Sequence, residues 1–159
     1  MEKKHRGDGL DAIDKELLAL LQENAKYTHK ELAAKLGLTV TPVYERVKRL
    51  EKDGYIRKYA AILDRKKVGK GLLVFCHLSL SEHTAEVIKG FEQAIGDIEE
   101  VLECYHISGT SDYLLKICLE DIDTYHKFII HRLVNIPGIA NLRSDFVMHE
   151  IKDSNILKV

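Results

Sequence analysis

No run of apolar residues in this chain approaches the roughly 18 that a helix needs to cross a bilayer, so no membrane partner is expected. Cysteine is scarce. Cys76, Cys104 and Cys118 are an odd number with no close pair among them, which leaves a disulfide framework and a Cys-x-x-Cys redox pair both unsupported. The first residues, Met1 to Asp8, carry charges with no hydrophobic stretch behind them and do not read as a signal peptide. Reduced thiols and a cytoplasmic location are the expectation. Also missing are a Gly-rich phosphate loop ending in Lys-Ser/Thr, a Gly-x-Ser-x-Gly elbow and a Cys-His pair with an orienting acid, so no enzyme activity and no cofactor are expected. Metal binding finds little support either. Cys104 and His106 share a strand face, but Cys76 and His77 point to opposite faces, and His126 and His131 are badly spaced for one ion.

What is present fits a soluble globular chain of 159 residues, 45% apolar and 31% charged, enough for one ordinary domain or two small ones. Its net charge of −1 conceals an asymmetry: residues 1–65 hold 14 Lys/Arg against 11 Asp/Glu, and residues 66–159 hold 10 against 14. A mildly basic front and an acidic back suggest two tasks.

The front reads as helical. Asp11 is placed to cap a first helix whose Ile13, Leu17, Leu20 and Leu21 fall on one face. Thr28-His-Lys-Glu31 is a capping box that opens a second helix, with Leu32, Ala33 and Leu36 inward and Gly37 at its end. Thr39 is placed to cap a third, running to about Asp53 with Val43, Val47 and Leu50 buried. Beyond Gly54, the stretch Tyr55 to Leu63 reads as extended. From Leu72 the period changes. Strands are expected at Leu72–Leu80, Val101–Ser108, Tyr113–Leu119 and Asn141–Ile151, with helices at Thr84–Ile95 and after a cap at Asp123. The order β-α-β-β-α-β is the ferredoxin-like pattern: an antiparallel sheet with both helices on one face, whose other face a second copy of the chain can cover.

The expected fold class is therefore α+β. A winged helix-turn-helix spans residues 1–63, a linker 64–71, and a ferredoxin-like βαββαβ domain 72–159. In a helix-turn-helix the second helix of the pair enters the major groove with its N-terminal residues leading. Here it offers Thr39, Thr41, Pro42, Tyr44 and Glu45 to bases or phosphates, and Arg46, Lys48 and Arg49 to flanking phosphates. Thr28, at the opening of the preceding helix, and Arg57, in the extended stretch, complete the candidate DNA-binding set. Arg46 has a second reading, as a partly buried strut. A three-helix domain with a solvated basic face is the plain alternative to double-stranded DNA as partner.

Leu10-Asp-x-x-Asp14, Glu31-Leu-Ala, Gly37-Leu-Thr39, Arg46-Val-Lys-Arg-Leu-Glu51 and Gly54-Tyr-Ile-Arg-Lys-Tyr59 resemble the feast/famine regulators, the Lrp/AsnC (leucine-responsive/asparagine regulator) family. The back half is similar too, through Glu103-Cys-Tyr-His-Ile-Ser-Gly-Thr-Ser-Asp-Tyr-Leu-Leu-Lys116 and Pro137-Gly-Ile139, so the resemblance covers about residues 10–152. It implies a transcription regulator whose α/β domains pair through their sheets into a homodimer. Dimers then assemble further, often four in a ring to give an octamer, and bind an amino acid effector where they meet. The residues matched to that site are His106, Ser108, Gly109, Thr110, Ser111, Asp112 and Tyr113, with Leu142 and Ser144. The turn and its hydroxyls suit a zwitterion, and Asp112 suits its ammonium group. This chain departs from the family's usual pattern in carrying Thr110 where an acid follows the loop glycine. Two other functions stay open: a DNA-organising protein of this fold without an effector, and a small-molecule-binding regulatory module of an enzyme.

Overall fold

The structure, a computed structural model, describes residues 9–159; the reading of Met1 to Asp8 as no signal peptide lies outside them. The chain divides into two compact units. One reaches to Ala61 and includes Lys152–Val159, and the other is Ile62–Ile151.

Three helices form the first unit: α1 (Ala12–Glu23), α2 (His29–Leu36) and α3 (Val40–Lys52). Reciprocal caps start two of them. Asp11 accepts from the Asp14 amide while Asp14 accepts from that of Asp11, and Thr28 and Glu31 do the same for α2. Gly37 ends α2 at φ 65°, a left-handed conformation that glycine adopts without a Cβ penalty. Leu17, Leu18, Leu21, Leu32, Ala33, Val43, Val47 and Leu50 form the core.

Three expectations change here. On α1, Leu18 is buried while Ile13 and Leu20 are only half-buried, because the inward stripe runs Asp14, Leu17, Leu18, Leu21 and begins with a carboxylate. Thr39 stands at the N-cap of α3, but its side chain makes no cap hydrogen bond. Residues 57–63 form no strand: among the described residues no other segment pairs with them in a ladder, and an unpaired strand is not stable by itself. Instead Ile56 donates back to the Leu50 carbonyl and closes the end of α3.

In the second unit, β1 (Leu72–Leu80), α4 (Ala85–Gly96), β2 (Val101–His106), β3 (Tyr113–Leu119), α5 (Ile122–His131), a 3₁₀ turn (Leu133–Asn135) and β4 (Ile139–Phe146) follow in order. The sheet runs β2-β3-β1-β4, antiparallel throughout. This is the ferredoxin-like arrangement expected. Val74, Cys76, Leu78 and Leu80 of β1 and Tyr113, Leu115, Ile117 and Leu119 of β3 face Phe91, Ile95, Tyr125 and Phe128 of the two helices. The opposite sheet face carries Phe75, His77, Leu114, Lys116, Tyr105 and Arg143, none of them buried.

Several details move. Asp121, not Asp123, caps α5: its backbone is extended and its carboxylate accepts from the Thr124 amide, while Asp123 lies in the first turn. Leu133 is buried from the 3₁₀ turn, not from α5. β4 stops at Phe146, because its partner β1 runs out near Leu72; Val147 makes one last bond to the Leu73 carbonyl, and Met148 and Ile151 are exposed.

Candidate functional site

The outer face of α3 is the candidate nucleic-acid interface. Its inner stripe, Val43, Val47 and Leu50, is anchored in the core, so helical geometry turns Thr41, Pro42, Tyr44, Glu45 and Lys48 outward, and all five are exposed. Tyr44 stands between the His29 ring and the Lys48 ammonium group. The His29 ring meets it edge-on at 5.3 Å between centroids, and the Lys48 ammonium lies 5.7 Å from its centre. Together with Val47 and Glu51, these three line a shallow groove of about 250 Å³. Hydroxyls, an aromatic ring, a carboxylate and an ammonium group at the leading end of a helix can read base edges and touch phosphates.

The remaining candidates are placed differently. The Thr28 hydroxyl is engaged in its cap, donating to Glu31 at 2.8 Å and accepting from the Glu31 amide at 3.2 Å. The Thr28 amide, donating to the same carboxylate at 2.7 Å, and then the hydroxyl hold the Glu31 carboxyl below its usual range. Thr39 is exposed, and Arg57 is exposed in the irregular segment after α3. Arg46 and Arg49 turn toward α1. Arg46 donates to Asp11 at 2.6 Å and to Asp14 at 2.7 Å, and Arg49 donates to the other Asp14 oxygen at 2.5 Å. Asp14 is 1% exposed, and burial works against its charge. The bonds from Arg49, Arg46 and the Asp11 amide outweigh burial and keep its carboxyl below the ordinary value. Sequence reasoning named Asp14 only within a motif. The available signal was its position, three residues before Leu17 on the core-facing stripe, where a carboxylate must find partners.

The loop between β2 and β3 is the candidate effector site. Gly109 has φ 137°, and Ser108, Gly109 and Thr110 are exposed. The loop is closed by the Ile107 amide donating to the Asp112 carbonyl at 2.8 Å. Asp112 is heavily engaged. Its amide donates to the Leu78 carbonyl at 2.8 Å, one carboxylate oxygen accepts from the Leu80 amide at 2.7 Å, and the other lies 2.8 Å from His83 Nε2. The His83 contact first, then the Leu80 amide, lowers its carboxyl below the usual range. Tyr113 is buried between Phe91 and His106, which stacks on it at 4.9 Å, and its hydroxyl donates to Glu92. Burial, then that carboxylate, pushes the phenol up to about 12.

Leu142 and Ser144 do not converge on this loop within one chain. Both lie on β4, across β1 from β3, on the helix-covered face: Leu142 packs on the core opposite Leu78, and Ser144 is hydrogen-bonded to the Tyr125 hydroxyl beside Cys76. Burial pushes the Cys76 thiol up to about 11. Cys76 and Cys118 are buried and Cys104 is exposed, all as free thiols. The open sheet face is crossed by ion pairs, Lys116 with Glu103 at 3.0 Å and Arg143 with Asp145 at 3.4 Å, and by a contact of His77 Nε2 with Asp145 at 3.1 Å, beside Phe75, Leu114 and Tyr105. Among the described residues, no helix is long and apolar enough to cross a membrane.

Comparison with known proteins agrees with this division. The Lrp/AsnC ligand binding domain matches residues 73–157, and a winged helix-turn-helix DNA-binding domain matches residues 10–57. The leucine-responsive regulatory proteins of Klebsiella pneumoniae and Escherichia coli K12 are each 38% identical over 99% of this chain and 96% of their own. A transcriptional regulator from Neisseria meningitidis, solved as its L-Met complex, superposes with a TM-score of 0.90 at 33% identity, covering 94% of this chain and 96% of its own. An AsnC family transcriptional regulator from Agrobacterium tumefaciens gives 0.88 at 35% identity, covering 92% and 95%. With a DNA-binding helix-turn-helix at the front, a ligand-binding α/β domain behind it and relatives along its whole length, the chain belongs to the Lrp/AsnC family of transcriptional regulators.

Proposed function

We propose that this protein is a transcription regulator that reads double-stranded DNA with the exposed face of α3 and changes its assembly or its DNA affinity on binding an amino acid. The observation that carries the reading is the outer face of α3, where Thr41, Tyr44, Glu45 and Lys48 stand exposed on a helix anchored by three buried residues. A homodimer presents two such helices to two half-sites. The open sheet face supplies the pairing surface, since Phe75, Leu114 and Tyr105 lie there uncovered between ion pairs. Dimers then assemble further, and the exposed Ser108–Gly109–Thr110 turn takes the effector with its amides and hydroxyls at the contact between them. An amino acid is supported by the L-Met complex of the Neisseria meningitidis regulator and by the leucine-responsive relatives.

One observation favours a second reading, an effector-independent DNA organiser. The Asp112 carboxylate suited to an ammonium group already bonds Leu80 and His83, and Thr110 adds no charge. Light scattering with each of the twenty amino acids at millimolar concentration, alongside selection of bound sequences from random duplexes, separates the two. The sensor reading requires that one amino acid change either the particle mass or the affinity for the selected duplex. Selection of a preferred duplex with no response to any of the twenty favours the organiser.

A further inference from the structure

We propose that Asp14 is a positioning residue that keeps Arg46 and Arg49 from the DNA phosphates, so that α3 binds through its specificity face and holds non-specific duplex weakly. The inference rests on the DNA-reading role of α3.

Four cations lie on α3: Arg46, Lys48, Arg49 and Lys52. Two of them are tied down. One Asp14 oxygen accepts from Arg46 at 2.7 Å and the other from Arg49 at 2.5 Å, so neither carboxylate oxygen is free of an arginine. Asp11 adds a second hold on Arg46 at 2.6 Å. Asp14 has no freedom to move with its partners. It is 1% exposed, belongs to the inward stripe of α1, and shares the reciprocal cap with Asp11. Its charge therefore stays in place and holds both guanidinium groups to it, because an ionised carboxylate removed from water without partners is strongly disfavoured. Asp11, Asp14, Arg46 and Arg49 together sum to zero charge. The exposed remainder of α3 is also balanced, Lys48 and Lys52 against Glu45 and Glu51.

A neutral recognition helix has a direct consequence. Sequence-independent affinity comes from cations that displace counterions at phosphates, each contributing about 0.9 to the slope of log K against log salt. With two arginines withheld, that share is small, and the contacts of Thr41, Tyr44 and Glu45 decide which duplex is held. The two arginines still shape the surface. Tied to α1, they set the rotation of α3 about its axis and so the direction in which Tyr44 and Glu45 point.

The test uses the full-length protein with two duplexes, one selected from a random pool and one scrambled, titrated at several salt concentrations. Asp14→Asn keeps the shape, removes the charge that holds the arginines, and frees them for phosphates. The expected result on the scrambled duplex is a slope steeper by about 0.9 to 1.8 and an affinity at 0.1 M salt raised roughly eightfold for each arginine released. The ratio of selected to scrambled affinity falls accordingly. An unchanged slope and ratio in a folded Asp14→Asn protein overturn the proposal. Should that variant lose its helical circular dichroism, Arg49→Gln decides, since Arg46 remains to partner Asp14. The expected slope for Arg49→Gln equals that of the parent, whereas a slope shallower by about 0.9 means that Arg49 already touches a phosphate and the proposal is wrong. Parent protein that binds neither duplex would instead refute the DNA-reading role itself.

Discussion

Replacing Gly138 by alanine joins two separate insults at one position, and a double-mutant cycle can measure them apart. Gly138 lies between Pro137 and β4 with φ 90°, a conformation that L-residues avoid. A Cβ built there falls 2.7 Å from Cγ1 of Val87 on α4, closer than two carbons can stand. The backbone conformation contributes about 1–3 kcal/mol of strain with any side chain. The overlap adds about 1–3 kcal/mol, because a β-branched valine has little rotamer freedom on a helix with which to withdraw. The site cannot simply drift, since the Gly138 carbonyl accepts from the Ser81 amide at 2.8 Å and from the Ser81 hydroxyl at 3.3 Å. Gly138→Ala is thus expected to lose about 2–6 kcal/mol of stability. Val87→Ala, which removes two methyl groups from a half-buried side chain, loses about 1 kcal/mol. In the double variant the overlap vanishes and the strain remains, so the combined loss falls short of the sum by about 1–3 kcal/mol. Denaturant unfolding of all four proteins at one protomer concentration supplies the numbers, the fixed concentration holding constant whatever the assembly put forward under the proposed function adds to stability. Additivity to within about 0.5 kcal/mol refutes the steric half of the reasoning. A Gly138→Ala protein as stable as the parent refutes both halves.

The first unit is expected to be acid-sensitive. The Asp11, Asp14 and Glu31 carboxyls all titrate below their ordinary values of 3.8, 3.8 and 4.5, so the unfolded chain takes up their protons first. The stability they supply is complete above about pH 5 and is lost as pH falls through the lower folded values; helical circular dichroism in denaturant, followed from pH 6 to 3, checks this, and a flat profile contradicts it. Gln22 holds the C-terminal segment through a pair of bonds, its side-chain amide donating to the Leu157 carbonyl at 2.9 Å and its oxygen accepting from the Leu157 amide at 2.7 Å. Gln22→Ala is expected to accelerate hydrogen exchange at the Leu157 amide about tenfold and leave the α1 core amides unchanged. Thr28→Ala removes the α2 cap and is expected to lower stability by about 1 kcal/mol in denaturant melts, with Thr28→Ser retaining most of it.

Local chemistry made much of this legible before any coordinates. The Thr28–Glu31 box and Gly37 bracket α2 within a residue, since each acts on its own backbone, and the change of hydrophobic period at Leu72 separates the helical front from the sheet. What escaped depends on partners far along the chain. Asp14 looks like an ordinary polar position until Arg46 and Arg49, 32 and 35 residues later, meet it. Asp121 and Asp123 have equal chemical claims to cap α5, and only the extended backbone at Asp121 decides. The Ser144 hydroxyl suits a zwitterion, which makes it a candidate ligand contact. The pairing of β4 with β1 sets it opposite Cys76 and turns it beneath the helices, and a one-residue slip would have turned it out. Reading Tyr55 to Leu63 as extended says nothing of pairing, and residues 57–63 carry no strand among the described residues, because a ladder requires a second segment.

Under the proposed function, the charge pattern also gives a reason for a regulator of this kind to assemble. The whole chain has a net charge of −1, and on α3 two of the four cations are neutralised by α1. If one α3 contributes few phosphate contacts, its affinity for DNA is low at physiological salt, and increasing its charge would strengthen non-specific binding along with specific binding. Joining several recognition helices raises affinity without that penalty, because each further contact is made at the effective concentration set by the assembly and only where half-sites recur at the matching spacing. Under the proposed function, occupancy of DNA then depends on how many helices an assembly presents and how far apart they stand. A ligand bound at the Ser108–Gly109–Thr110 turn need not reach α3 to regulate it. It needs only unequal affinity for two assemblies, so that binding shifts their populations and with them the DNA sites that can be spanned.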